Sequence, residues 1–326
     1  MRKALGALVA LAVALLLLAS LFLYQRHRER TDAAPRLAFE TASAASVLRL
    51  HVEYRDDSVT LQRVNGNWVT AVDRFPADTA RMRRVLGNLL GMQTRELVSQ
   101  TAESDARLAE FGLNAEVARR VVWTLSDGRT IRVLLGKTSG IDYGSSFWKP
   151  AEGSAVYRTP GTFVFEISAR SQDWKDTSLF TPVPVTDIRS LRVEWASGNS
   201  SPLVYRIDRI EHSKNGEQDE YVLREPLVAP AKAKVAAALF RHANQFKVDA
   251  FVPGVDSQKI NSALDHPAMR VQMLLRDGSV RTITAGAFVD DLYRYVRHPT
   301  HPDPVRVFIW RINDFKKTAE ELVERE

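Results

Sequence analysis

The chain contains no cysteine. That excludes disulfides, thiolate nucleophiles and thiolate-bound metal, and it leaves no thiol to accept a lipid. No G-x-S-x-G turn is present to raise a serine nucleophile above a sheet. A phosphate-binding loop is missing too. Gly136-Lys137-Thr138 ends like one, but Ile131 stands where that motif needs its first glycine, and Ser139-Gly140 follow where a helix should start. A nucleotide ligand is therefore not expected. Charge of one sign is also scarce outside the first segment. The whole chain carries +6, yet residues 31–326 hold 40 basic and 38 acidic side chains, so most of the excess sits in the first thirty residues. A body so nearly neutral has no electrostatic footprint for nucleic acid.

What the chain does have at its start is one long apolar run. Residues 1–3 form a short basic tail, and Ala4 to Leu23 contain no charged residue. Twenty helical residues span about 30 Å, the thickness of a bilayer's hydrocarbon core. Leu17 and Ala19 before Ser20 fit a cleavage site poorly, so the run reads as an uncleaved transmembrane signal anchor. Arg2 and Lys3 on one side nearly balance Arg26, Arg28 and Arg30 on the other, so charge alone does not orient it. A three-residue tail before a signal-like run is the usual arrangement for exporting the remainder of a chain. The expectation is a single-pass protein of the inner membrane, with its C-terminal body in the periplasm.

Residues 24–45 read as a juxtamembrane linker. Alternation then marks strands at Val47 to Val52, Val59 to Val64 and Trp68-Val69, with Asn65-Gly66 as a turn. Met82, Val85, Leu86, Leu89 and Leu90 give one helical stripe, with Asp78 placed to cap it. A shorter helix from Asp105 to Phe111 stops at Gly112. Asp127-Gly128 sits between two β-prone runs, the signal of a type I′ hairpin. Residues 176–187, with two prolines and no helical period, read as a connector.

The same order then recurs. VVWTLSDGRTIRVLLG (Val121 to Gly136) returns as VQMLLRDGSVRTITAG (Val271 to Gly286), with the second Asp-Gly 150 residues after the first. Ile188 to Trp195 repeats the first strand, and Val235, Ala238, Leu239, His242 and Ala243 repeat the helical stripe. Tyr293 to Arg297 and Val305 to Phe308 form a last hairpin, and Ile312, Phe315, Ala319, Leu322 and Val323 a C-terminal amphipathic helix. The fold class expected is α+β: a transmembrane helix, then two tandem repeats, 46–175 and 188–326, each an antiparallel sheet with covering helices.

A tryptophan strand after Asn-Gly, Pro-Ala-Asp before a helix, Phe111-Gly112-Leu113, Asp127-Gly128 and Leu135-Gly136-Lys137 in fixed order resemble the domain of unknown function 4340 family. The resemblance covers most of 46–326 in two passes, the second lacking Phe-Gly but keeping Pro267. It implies a bacterial, membrane-anchored protein, often encoded beside gliding-motility-type ABC transporter subunits, and so an accessory role at an envelope complex. It implies no catalytic residue and no cofactor.

The remaining chemistry is thin. His298, His301 and Asp303 make H-x-x-H-x-D in one loop, residue types that zinc accepts. Three interleaved prolines stiffen that loop, so a solvated turn is the expectation and the three are weak metal candidates only. His242 lies on an apolar stripe and reads as a hydrogen-bonded core histidine. Asp56-Asp57 and Asp290-Asp291 are neighbours that face opposite ways on a strand, so neither makes an acid and base pair. The expectation is a non-enzymatic protein. Its partner-binding candidates are aromatic, Tyr143, Phe147 and Trp148 at one hairpin and Tyr293, Tyr295 and Trp310 at its counterpart. A glycan-binding module that stacks sugars on Trp148 and Trp310 is the rival reading, and a metal-dependent envelope hydrolase a third.

Overall fold

The structure is a computed structural model that describes residues 20, 42–92, 95–100, 104–140, 143–161, 163–196, 202–210, 220–252 and 256–324. Apart from Ser20, the apolar run 4–23 lies outside the described residues, as does the linker up to residue 41. Among the described residues no helix is long and apolar enough to cross a membrane. The chain forms two compact units that divide between Lys175 and Asp176.

The first unit begins with a meander, β1 (Val47–Tyr54), β2 (Asp57–Val64) and β3 (Asn67–Thr70). Helix α1 (Thr79–Gly91) follows, then β4 (Glu96–Ser99) and the short α2 (Asp105–Glu110). β5 (Arg119–Leu125), β6 (Thr130–Thr138), β7 (Ser145–Pro150), β8 (Val156–Pro160) and α3 (Phe163–Glu166) complete it. The sheet order is β3-β2-β1-β5-β6-β7-β8-β4, and its strand pairs are antiparallel. Alternation drives this arrangement. Leu50, Val52, Leu61, Val121, Trp123 and Val133 are buried on one face, while His51, Glu53, Thr60 and Arg120 form a polar network on the other.

Helix α1 covers the apolar face with Met82, Val85, Leu86 and Leu89, which share a core with the sheet and Trp174. Each such side chain contributes roughly 1.5–3 kcal/mol by leaving water. Asp78 caps the helix by accepting from the Arg81 N–H at 2.9 Å. The end of the unit folds back on this helix start. Asp78 N–H donates to the Trp174 carbonyl at 2.8 Å, and Ala77 bridges to Lys175.

The second unit repeats this topology. β9 (Ile188–Trp195), β10 (Leu203–Ile210) and β11 (Glu220–Glu225) form the meander, β12 (Ala229–Pro230) adds an edge, and α4 (Ala233–Asn244) is the covering helix. β13 (Ala250–Phe251), α5 (Ser257–Ala263), β14 (Met269–Leu275), β15 (Val280–Phe288), β16 (Tyr293–Val296) and β17 (Val305–Phe308) follow, with α6 (Ile309–Asn313) and α7 (Ala319–Leu322) last. The order β12-β11-β10-β9-β14-β15-β16-β17-β13 matches the first unit strand for strand, with β12 as an added edge. Its closing contact is the same as well. Lys232 N–H donates to the Leu322 carbonyl at 2.8 Å and Ala231 bridges to Val323. The protein is thus an α+β tandem of two antiparallel sheets with few helices.

Several local expectations need correction. Asn65-Gly66 is a two-residue turn with left-handed backbone at both residues, φ 50° and 83°. The Asp-Gly hairpins are not of that type. Gly128 N–H donates to Leu125 O and Leu125 N–H to Arg129 O, with left-handed backbone at Gly128 (φ 84°) and not at Asp127, a three-residue loop. Asp277-Gly278 repeats it, with Leu275 and Ser279 as partners. The aspartate serves by accepting from the N–H two residues on, Arg129 or Ser279, at 3.0 and 2.9 Å.

The stripe of α4 is also rotated by a residue. Ala236, Leu239, Phe240, Ala243 and Asn244 are buried, Ala238 is exposed, and Val235 and His242 are half-buried. Phe240 wins the core because its ring stacks edge-on against Tyr221 at 5.3 Å. The expected C-terminal helix is two short ones, since Thr318 and Glu321 form a capping box that starts α7 afresh. Residues 176–187 are built into the second unit. Leu179 N–H donates to Phe246 O, Val248 N–H to Thr177 O, and Val185–Asp187 form a 3₁₀ turn.

Candidate functional site

The ends of the hairpins β7–β8 and β16–β17 correspond in the two units. Gly161 N–H donates to Gly144 O at 2.7 Å in the first, and Ile309 N–H to Leu292 O at 2.9 Å in the second. Both ends expose large apolar side chains. Tyr143 and Phe165 are each 79% exposed, and Leu292 and Trp310 are 61% and 53% exposed. Tyr143 sits in the left-handed region at φ 47°, a strained position for a residue with a ring.

The second of these ends is built as a platform. Asp290 Oδ1 accepts from the N–H groups of Leu292 and Tyr293 at 2.8 and 2.9 Å, which fixes the turn. Tyr293 and Phe308 stack across the strands at 4.5 Å. The Arg311 guanidinium lies 4.4 Å from the Trp310 ring and is itself held by both oxygens of Asp249 at 3.0 Å. Asp249 also accepts from Phe308 N–H at 2.9 Å. Trp310 is therefore presented on a fixed cation, with about half of its surface in solvent.

Not every predicted residue belongs to these ends. Trp148 is fully buried, stacked on Tyr157 at 4.9 Å, with its Nε1–H donating to Thr159 Oγ1 at 2.9 Å. Phe147 is buried on the opposite face of β7, edge-on to Phe111 at 5.1 Å beside Leu113 and Val156. Both leave the list of surface candidates. The sheet is covered on both faces here, because the Phe111-Gly112-Leu113 segment makes a second small core behind β6–β8. Tyr293 and Tyr295 are half-buried, the latter under Arg306 at 5.8 Å. The platform on Trp148 and Trp310 that a sugar-stacking module needs is thus not available. Sequence reasoning missed Leu292 and Phe165, and for Leu292 the signal was a large apolar residue directly after Asp290-Asp291.

The histidine loop is structural in its contacts. His298 and the His301 side chain are each only 7% exposed, so the loop turns its histidines inward while Pro299, Thr300 and Pro302 are exposed as a solvated turn requires. Each ring turns its Nδ1 into the loop's own backbone, accepting from Thr300 N–H at 3.3 Å and Asp303 N–H at 3.1 Å. The rings stand nearly perpendicular with centroids 6.2 Å apart. Burial and the neighbouring His301 push His298 down to about 4. Among the described residues no group of three His, Cys, Asp or Glu side chains could hold a metal ion. His242 Nε2 lies 2.7 Å from the Arg311 carbonyl, between Phe246 and Phe315, as a core histidine should.

The motif residues shared with a known family have a clear geometry. Lys137 N–H donates to the Phe111 carbonyl at 3.0 Å, and Gly112 takes φ 67° to bring the chain there. A Cβ on Gly136 would lie 2.2 Å from that same carbonyl. Phe-Gly-Leu and Leu-Gly-Lys are therefore two halves of one clasp. A family model, domain of unknown function (DUF4340), matches residues 68–262. The chain belongs to the DUF4340 family. The DUF4340 match runs as one continuous span from β3 of the first unit into α5 of the second, not as two passes. No curated protein and no solved structure matches the chain.

Proposed function

We propose that this DUF4340 protein is a single-pass inner-membrane protein whose two units stand in the periplasm and bind protein subunits of an ABC transporter-like envelope assembly, without catalysing a reaction. The observation that carries this reading is the pair of corresponding hairpin ends, each with exposed large apolar side chains, the second a preorganised Leu292–Trp310 platform. Rigid aromatic groups bury much area at little entropic cost, which is what a docking surface needs. The apolar run 4–23 supplies the anchor. Alkaline phosphatase and fluorescent-protein fusions at the C-terminus test the topology, and the expected result is an active phosphatase and a dark fluorophore. Co-purification from crosslinked membranes tests the partnership. Recovery of a multi-spanning transporter subunit is expected, and its absence across several mild detergents sinks the accessory role.

A further inference from the structure

The open face of the second sheet carries a depression of about 400 Å³ lined by Arg189, Ser190, Arg206, Asp208, Arg209, Leu274 and Arg276. Four guanidinium groups against one carboxylate make its lining strongly cationic. Asp208 is shared, accepting from Arg206 Nε at 2.8 Å and Nη2 at 3.2 Å and from Arg224 Nε at 3.3 Å, so one carboxylate is divided between two arginines. Arg209 is steered by its Nη1 donating to Thr186 O at 2.8 Å. Arg189 is exposed and forms no ion pair among the described residues. The buried Ser190 beside it makes no side-chain hydrogen bond among the described residues.

The first unit offers a built-in comparison. Strand register places Leu48, Thr60, Gln62, Thr124 and Ser126 where the second unit has Arg189, Arg206, Asp208, Leu274 and Arg276. Only Arg63 keeps its charge, at the position of Arg209, and Arg49 stands for Ser190. Packing of the sheet does not demand arginine at the positions of Arg189, Arg206 and Arg276, since the first unit builds the same face with Leu48, Thr60 and Ser126. The second unit places four arginines at these positions, against two, Arg49 and Arg63, in the first.

We propose that this depression binds a phosphate group, free or as the headgroup of a phospholipid. Guanidinium forks pair two N–H groups with two oxygens, and several arranged around a concave site suit a tetrahedral oxyanion with more acceptors than a carboxylate. Arg189 and Arg276 at the exposed rim capture the anion, Arg206 and Arg209, held by Asp208 and the Thr186 carbonyl, add positive charge from the floor, and the Ser190 hydroxyl donates one further bond. The proposal stands apart from the partner-docking reading, because it uses a different surface and needs no transporter subunit.

The test is calorimetric titration of the full chain, in detergent, with inorganic phosphate against chloride at matched ionic strength. Saturable binding is expected, weakened at least tenfold in R189A/R276A and partly retained in R189K/R276K, which keeps charge but loses the fork. R83A/R84A removes two exposed arginines from α1 and should bind as the parent does. Circular dichroism of each variant checks the fold, and the lysine pair keeps the test decisive should the alanine pair unfold. Nanodiscs containing phosphatidylglycerol, compared with phosphatidylcholine alone, separate the sources: loss of phosphate binding in the former assigns a lipid headgroup, and unchanged binding assigns free phosphate. No saturable binding by the parent, or equal weakening in R83A/R84A, overturns the site.

Discussion

Asp73 and Lys175 form an ion pair inside the first unit, with the Lys175 side chain only 4% exposed. Burial pushes the Asp73 carboxyl up, but hydrogen bonds from the Lys175 ammonium and the Thr70 hydroxyl outweigh it and hold it below the usual range. The pair ties the loop after β3 to the strap that ends the unit. In the second unit Val323 occupies the position of Lys175, so the charge is not what the fold itself requires. Asp73→Ala should cost about 2–4 kcal/mol in urea denaturation, because it strips a buried ammonium of its carboxylate, while the double variant with Lys175→Met should recover most of that loss. Equal stabilities for the single and double variants would contradict this. His298 makes a second residue-scale prediction. Its imidazole titrates near 6.5 when unfolded and about 4 when folded, so the unfolded chain binds the extra proton between those values. Stability contributed by the neutral ring is therefore complete above about pH 6.5 and is lost as pH falls toward 4, by about 2 kcal/mol at pH 5. His298→Asn should show a shallower acid loss than the parent over that window, read as the shift of the urea midpoint.

At the scale of elements, the glycines at the clasp separate two kinds of constraint. A methyl added at Gly136 would lie 2.2 Å from a backbone carbonyl, whereas one at Gly286 would meet only the tip of the Leu264 side chain at 2.6 Å. Gly128 has open space and only its positive φ to lose. Alanine should therefore cost most at Gly136, roughly 3 kcal/mol or more, and about 1–2 kcal/mol at Gly128. Thermal unfolding of the three variants checks the order, and a Gly286 variant as damaged as the Gly136 one would contradict it. The same contrast between local and distant causes explains which elements are legible in the sequence. The strands of the first meander, the Asp78 cap and the Gly112 stop follow from period and local chemistry, and all three stand in the structure. The edge strand β4 does not show itself, because Glu96-Leu97-Val98-Ser99 is too short to display alternation and owes its form to pairing with β8. The phase of α4 is misread from periodicity because Val235 and Phe240 compete for one stripe, and the ring of Tyr221 decides between them. Phe147 reads as a rim residue because the second layer over its face of β7 comes from residues more than thirty positions earlier, while Trp148 on the other face belongs to the main core with Val133 and Tyr157.

For the whole molecule, the tandem was legible from one repeated hairpin, and the matching strand orders give it physical content. The candidate sites were less legible. Leu292 and Trp310 are eighteen residues apart and are brought together by the Ile309–Leu292 hydrogen bond, and the arginines of the open face come from β9, β10 and the turn after β14. What the two copies share is the machinery of folding: the strand order, the three-residue Asp-Gly loop and the closing strap. What they do not share is the surface, and function is assigned there. The reading as a docked, membrane-held accessory protein is tested most directly by placing a photo-crosslinking amino acid at Tyr143, Trp310 and, as an exposed control on the far side of α1's stripe, Arg84, in cells that express the full chain. Discrete adducts to a membrane-embedded subunit from Tyr143 and Trp310, with none from Arg84, are the predicted result. No adducts from either hairpin end, or the same adducts from all three positions, would contradict it.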